Sequence, residues 1–588
     1  MAIAMTLGIL LVAVLLFATE WLPMDMVALL VLLALAISGM VSIQEALSGF
    51  ANPAVITVAA MFVISAGITH TGALGKAGVL FIHLAKGSEN RLTAIIMVSV
   101  ALASSFINNI GATAVLMPVV IDVCRRLHIS PSKMLIPLAY GSLLGGVCTL
   151  VGTPPNILMN ALLQEYTGER FGLFSFTPVG LVIVTVGIGY MLLLGRRLLP
   201  VRKSGQLTEA YQVKEYITQA EILPDSPIAG QTIAGSSLER DFQLRVRAIL
   251  RGREKIPAPR RNRKLRSGDI LFLEGNPQGI LKVIKAKGLE LIPERDNPPP
   301  HRGKELMVIE ASLTPNSEMA GKTLRQVRFR ETYGLNVLAL WRQGAPVVKK
   351  VDHVVLRFGD VLLLQGDEAG IAHLGREHGF LLLGGIEPTP YRPRQAPMAL
   401  LVLTGVILLT VTESLSIALA APLGAVAMVL SGCLNMQEAY ESIDWRILLL
   451  IAGTLPLGLA LQNSGAASLL AQNILHLIGH WGPMAVLAVF FLLTSLLTEI
   501  MSHAAAAVLI APVVLHAAIS LQVSPRPFFM AVAVAASSCF MTPISHQSNA
   551  LVMGPGGYRF SDFARTGTLL NLLVWACASL MIPLLFPF

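Results

Sequence analysis

Long runs without formal charge set the first constraint on this chain. Leu92–Ile121, Met134–Gln164 and Pro527–Tyr558 contain no Asp, Glu, Lys or Arg, and from Ile447 to Pro525 the only formal charge is Glu499. A spanning helix needs about 20 mostly apolar residues. Further apolar stretches cover roughly 3–19, 22–40, 53–70, 174–195, 398–412, 415–433 and 567–587. Between the two apolar blocks lies a charged middle. Of 44 Lys+Arg and 35 Asp+Glu, 31 and 22 fall between residues 200 and 396, leaving 13 of each in the flanks. The net charge of +9 therefore belongs to the middle (31 − 22). A soluble globule would carry charge over its whole surface. The pattern predicts membrane, water, membrane: an all-α polytopic membrane protein with a central soluble insert.

Arg125-Arg126, Arg196-Arg197 with Arg202-Lys203, and Arg392 with Arg394 flank membrane segments. Basic flanks favour the cytoplasm, so the insert, residues 200–396, is expected on the cytoplasmic side of the cell (inner or plasma) membrane. Lys76, Lys86 and Arg91 do not fit this simple count, and a re-entrant hairpin nearby would reconcile them. The apolar N-terminus has no basic leader region and reads as the first membrane segment. The five cysteines (Cys124, Cys148, Cys433, Cys539, Cys577) sit in apolar surroundings without metal-like spacing, which predicts small buried residues.

The insert is internally repeated. Ala220-Glu221-Ile222-Leu223-Pro224 has a counterpart in Ala311-Ser312-Leu313-Thr314-Pro315, and Gly268-Asp269-Ile270-Leu271 one in Gly359-Asp360-Val361-Leu362. Shared turns and strand-like runs at a common offset predict two copies of a small α+β unit, with Gly-Asp opening a strand. This pattern resembles the C-terminal domain of regulators of potassium conductance, TrkA-C. The resemblance implies dimerisation and an unidentified small ligand. No phosphate-binding glycine motif is present. The basic run Arg240–Arg266 is a solvated face or a contact for anionic headgroups or a nucleotide; nucleic acid is not an expected partner.

Polar knots interrupt the apolar runs: Ser104-Ser105-Phe106-Ile107-Asn108-Asn109, Gly152-Thr153-Pro154-Pro155-Asn156, and Thr542-Pro543-Ile544-Ser545-His546-Gln547-Ser548-Asn549. Backbone freed by such residues cannot face lipid and is tolerated only inside protein or along a wet cavity. The knots are paired between the halves. Asn109 precedes Pro118 by nine residues and His503 precedes Pro512 by nine. Each is followed by a Thr-Pro, then an Asn: Thr153-Pro154 with Asn156, and Thr542-Pro543 with Asn549. Matched order predicts an internal structural repeat with the insert between its halves. Amide and carbonyl oxygens at such breaks suit a hard cation, and helix N-termini suit an anion. Helix packing through small polar residues is the alternative for any one knot alone.

This arrangement resembles the divalent-anion:sodium symporter family of the ion transporter superfamily, over both membrane regions. That family pairs Ser-Asn-Thr hairpin tips with a later Gly/Ala-Ser/Thr-Pro. By position, the resemblance implies a fold of two inverted repeats with re-entrant hairpins, elevator motion and a homodimer. It places one cation on Ser104, Asn109 and Gly152, and the other on Thr498, His503 and Met541. Asn108, Asn109, Thr153, Pro154, Ser502, His503, Thr542 and Pro543 would bind the substrate. Both motif threonines are absent, replaced by Ile110 and Ala504, and His503 stands where the pattern has Asn. The paired insert is similar to that of inorganic-anion permeases, which favours sulfate over a dicarboxylate.

The expected domains are 1–199 and 397–588 in the membrane, with TrkA-C-like copies at 208–298 and 299–390. The expected function is secondary transport of a small anion coupled to Na⁺ or H⁺, with no cofactor and no enzymatic chemistry. Two other functions fit the same residues: a Na⁺/H⁺ or arsenite-type exchanger or efflux permease, and an anion sensor without transport. The insert is expected to regulate and to stay out of the pathway. Glu499 and His503 are coupling candidates, because ionisable groups in an apolar run are functional by default and their four-residue spacing puts them on one helical face.

Overall fold

The computed structural model describes residues 2–19, 21–73, 88–201 and 392–588 without interruption and, in pieces, the middle segment from 216 to 382. The expected hairpin around Lys76 and Lys86 lies outside the described residues. The first membrane region comprises α1 (Ala2–Thr19), α2 (Met24–Ile37), α3 (Ile43–Ser48), α4 (Pro53–His70), α5 (Glu89–Ser104), α6 (Asn109–Arg126), α7 (Leu135–Gly146), α8 (Pro154–Thr167) and α9 (Thr177–Tyr190). The second comprises α10 (Ala396–Val411), α11 (Ile417–Leu430), α12 (Met436–Ser442), α13 (Trp445–Asn463), α14 (Ala466–Ile478), α15 (Pro483–Thr498), α16 (His503–Ser520), α17 (Arg526–Ser537), α18 (Gln547–Gly556) and α19 (Phe560–Leu585).

Among the described residues, five helical stretches are long and apolar enough to cross a membrane: Ile43–His70, Thr177–Leu198, Trp445–Asn463, His503–Ser520 and Phe560–Leu585. Several others are shorter because the polar knots cut them. The chain is a multi-pass helical membrane protein with sheet in its middle.

Helix starts repeat between the halves. Ser42 caps α3 and Asn435 caps α12, each in a capping box with a glutamate three residues on, Glu45 and Glu438. Asn52 caps α4 through Ala54 N at 2.9 Å, and Asp444 caps α13 through Arg446 N at 3.1 Å. Packing is reciprocal as well. Helix α2 lies on α13 and α4 on α11; α5 lies on α7 and α15 on α17; α8 touches α16 and α17, as α18 touches α6 and α7. Buried tyrosines pin the halves together: Tyr140 donates to Phe540 O at 2.8 Å, Tyr190 to Thr566 O at 2.7 Å and Tyr558 to Ser132 O at 2.5 Å.

The middle segment builds two five-stranded sheets. The first, in the compact unit Lys203–Glu305, has the order β3-β2-β4-β1-β5, from β1 (Tyr216–Ile222), β2 (Arg245–Arg251), β3 (Glu254–Pro257), β4 (Ile270–Gly275) and β5 (Leu289–Leu291). The second belongs to the same unit as the helices. Its order is β10-β6-β9-β7-β8, from β6 (Met307–Leu313), β7 (Asn336–Arg342), β8 (Ala345–Pro346), β9 (Val361–Gly366) and β10 (Phe380–Leu382), which is the first order read backwards. The Gly-Asp pairs do open strands β4 and β9. Gly268 and Gly359 take φ of +80° and +76°, where a side chain would be strained. The aspartates behind them are buried and held by an arginine fork. Asp269 accepts from Arg251 Nε and Nη2 at 2.7 Å, and Asp360 from Arg342 in the same way at 2.7 Å.

The α5–α7 contact depends on missing side chains. A Cβ at Gly141 would lie 2.7 Å from Val100 Cγ1 and 3.0 Å from Met97 Cα, and one at Gly145 would fall on the Ala101 backbone. Without a hydrophobic drive between helices in lipid, such close approach is what holds them. Gly145→Val should therefore cost roughly 3 kcal/mol or more. The expected outcome is loss of monodisperse protein in detergent and a lowered Tm. Gly189→Ala, where a Cβ meets open space, should leave both unchanged.

Candidate functional site

Each half presents two breaks. In the first, residues 105–108 separate α5 from α6 and 147–153 separate α7 from α8; in the second, 499–502 separate α15 from α16 and 538–546 separate α17 from α18. Side chains bond several of the freed backbone groups.

In the first half, Ser104 Oγ donates to Asn109 Oδ1 at 2.5 Å, and both residues are buried. Ser105 Oγ bonds Gly145 O at 3.1 Å, and Ser105 O accepts from Thr149 Oγ1. Asn156 Nδ2 reaches Thr149 O at 2.8 Å and Gly146 O at 3.4 Å, which ties the break to the start of α8. A Cβ at Gly146 would strike the Asn109 amide, and one at Gly152 the Gly146 backbone. Two glycines therefore let the break fold onto Asn109.

In the second half a carboxylate does part of this work. Glu499 Oε1 accepts from Met541 N at 2.9 Å and Oε2 from Thr542 N at 3.0 Å. Asn549 Nδ2 donates to Cys539 O at 2.9 Å and Thr542 O at 3.1 Å. The sequence separations, ten and seven residues, equal those of Asn156.

The breaks that precede α6 and α16 meet at one cavity of about 100 Å³. Asn108, Asn109, Ile110 and Pro154 line it from the first half, and Glu499, Ser502, His503, Ala504, Ser545, His546 and Gln547 from the second. None of its lining residues is Lys or Arg. The His503 and His546 rings stack with centroids 5.3 Å apart. A larger cavity of about 920 Å³ shares Asn108, Ile110 and Gln547 with it.

Not every expected site residue lines this cavity. Thr153, Thr542 and Pro543 are not among the residues lining the smaller cavity. The Thr153 hydroxyl pairs with Ser537 Oγ at 2.9 Å, bridging the halves, and Thr542 Oγ1 accepts from Ser545 N at 3.0 Å. The Thr498 hydroxyl bonds back to Ser495 O of its own helix at 2.8 Å. Met541 gives its N–H to Glu499. Glu499 and His503 share no helical face, because α15 ends at Thr498 and α16 starts at His503. Ser317, Glu318, Lys322, Tyr333 and Phe380 of the second copy line the larger cavity. Ser545, His546 and Gln547 are lining residues that the family pattern does not select; their one sequence signal was a place inside a polar knot.

A citrate transporter family model matches residues 14–523. An uncharacterized transporter of Synechocystis is 36% identical, covering 99% of this chain and 97% of its own. An uncharacterized transporter of Escherichia coli is 34% identical over 99% of each chain. Sodium/sulfate cotransporter 2 of Chlamydomonas reinhardtii is 24% identical over 94% of this chain and 86% of its own. Among solved structures, the YdaH transporter of Alcanivorax borkumensis aligns with TM-score 0.44 at 13% identity, over 94% of this chain and 87% of that one.

The Glu499 clamp gives a direct test. A glutamine there has one acceptor where the carboxylate has two, so Glu499→Gln strands one of the two N–H groups, a cost of about 1–3 kcal/mol. Its Tm should fall and its anion-dependent thermal stabilisation should need at least tenfold more ligand. An unchanged Tm and ligand midpoint would show that the clamp carries no weight.

Proposed function

The chain belongs to the citrate transporter family, and on that premise we propose that it is a secondary transporter of a small inorganic anion, sulfate first, driven by Na⁺. The observation that carries this reading is the cavity between the hairpin tips. Its hydroxyl and amide groups can donate to an oxyanion, yet no lysine or arginine lines it, and Glu499 sits in its wall. A dianion about 5 Å from that carboxylate would be opposed by roughly 7 kcal/mol at an effective dielectric of about 20. Co-bound cations remove the deficit, and the oxygen-rich breaks beside the cavity are hard-cation donors. A cavity of about 100 Å³ suits a compact tetrahedral anion better than a branched tricarboxylate. The sodium/sulfate cotransporters among the relatives support the same substrate and ion.

Two inverted repeats form the membrane part in this reading; the reciprocal packing and the matched capping boxes support it. The family resemblance is the support for elevator motion and a homodimer, and the basic flanks for a cytoplasmic insert. The two copies act as TrkA-C-like regulators with an unidentified ligand. Two contacts support regulation: the second copy lines the larger cavity, and its Gly359 turn meets α18, where a Cβ at Gly554 would lie 2.6 Å from Gly359 O. Asn108, Asn109, Ser502 and His503 are the anion ligands, with Glu499 and His503 in coupling.

The test is uptake of radiolabelled sulfate, succinate, citrate and arsenite into proteoliposomes. Sulfate should accumulate with an inward Na⁺ gradient and fail to do so when choline replaces Na⁺. Accumulation that follows a proton gradient instead would make H⁺ the coupling ion, and binding without flux would make the protein a sensor. His503→Asn removes one titratable group from the cavity wall, so its uptake should vary less with pH and more with Na⁺ than the wild type's. Identical profiles would leave His503 a packing residue.

A further inference from the structure

His546 lines the smaller cavity and lies outside the motif that the family resemblance selects. It is buried, 7% exposed, and it caps α18: its Nδ1 accepts from Ser548 N at 3.0 Å. A backbone N–H can only donate, so this bond fixes the state of the ring. Nδ1 must be bare, and the neutral imidazole then carries its hydrogen on Nε2. Nε2 has no hydrogen-bond partner among the described residues. The His503 ring stacks on it with centroids 5.3 Å apart, which holds the ring plane. Two neighbours in the wall are fixed in the same sense. Asn108 Oδ1 accepts from Ile110 N at 3.2 Å, and Asn109 Oδ1 from Ser104 Oγ at 2.5 Å. Each therefore keeps its NH₂ group for another partner.

Resting on the inorganic-anion reading above, we infer that His546 is a direct ligand of the anion through Nε2–H, and that with Asn108 and Asn109 it makes the site prefer oxyanions that carry no hydroxyl. The three groups share one property: their acceptor ends are spent on the protein, so they can only donate to what enters the cavity. A neutral donor also suits a wall that already holds Glu499, because it contacts the anion without forming an ion pair with that carboxylate. An oxyanion with four bare oxygens satisfies such donors in any orientation. One that bears an O–H must turn it away from all three, since two donors facing each other leave both unpaired. Ser502, His503, Ser545 and Gln547 can act as donor or acceptor, so they add contacts without setting this polarity. His546 thus does two jobs: Nδ1 starts α18, and Nε2 reads the substrate.

The experiment uses the full-length protein in nanodiscs with Na⁺ present, and reads Tm against added sulfate, selenate, phosphate and arsenate at pH 8. Selenate and arsenate are dianions of similar size there, and arsenate carries one O–H that selenate lacks. Sulfate and selenate should stabilise the wild type with similar midpoints, and arsenate and phosphate should need at least tenfold more. Two variants separate the jobs of His546. His546→Asn keeps an oxygen for Ser548 N and loses the distal N–H. Its Tm without anion should stay near that of the wild type while its sulfate midpoint rises at least tenfold. His546→Gln keeps a distal N–H and weakens the cap, so its Tm without anion should fall while its sulfate midpoint stays closer to the wild type's than that of His546→Asn. The opposite order, or a wild-type midpoint in His546→Asn, would show that His546 only caps the helix and would overturn the inference. Should neither variant fold, arsenate that matches selenate on the wild type overturns it equally. A wild-type protein that responds to none of the four anions overturns the inorganic-anion reading and this inference together.

Discussion

Backbone polar groups in a membrane have no water to fall back on, and every unusual feature of this protein follows from how its four breaks meet that demand. In the first half, Thr149, Ser105 and Asn156 hold the freed carbonyls. In the second, Glu499 holds two N–H groups and Asn549 two carbonyls. Ser105, Thr149, Asn156 and Asn549 are short and buried, and Glu499 is half-buried, so each break is held by several side-chain bonds. A break held in this way can present an amide, a hydroxyl and a helix end to the same small space, which an unbroken helix cannot.

The halves are alike in construction but unlike in charge. Position for position, Ser105 in the first hairpin is answered by Glu499 in the second, and Asn109 by His503. The neutral hairpin relies on hydroxyl–carbonyl bonds. The charged one uses a carboxylate against two N–H groups, and two imidazoles stack beside it. This asymmetry places the negative charge of the site on one wall.

The middle segment shows how one short signature builds a whole unit. The Gly-Asp pair needs a positive φ, and the buried aspartate behind it needs an arginine partner. Arg251 and Arg342 supply it from the neighbouring strand. Duplication has kept that arrangement and the strand order in both copies. The second copy reaches further, since its Gly359 turn rests on Gly554 of the helix that begins at the cavity residue Gln547.

The sequence by itself determined the apolar–charged–apolar plan, the duplication in the middle, and the polar knots with their order. Each rests on a local property: charge-free length, a repeated turn, or a polar residue where lipid forbids one. It also pointed to Asn108, Asn109, Ser502 and His503, which the fold brings to one cavity. Tertiary structure alone decided where each side chain of a knot points. Thr153 turns to Ser537 across the halves, Thr498 turns back to its own helix, and His503 lies on His546 instead of on Glu499. No spacing rule reaches those outcomes, because at a break the helical register is lost and the partner of each polar atom is whichever group the opposing half places within hydrogen-bond distance.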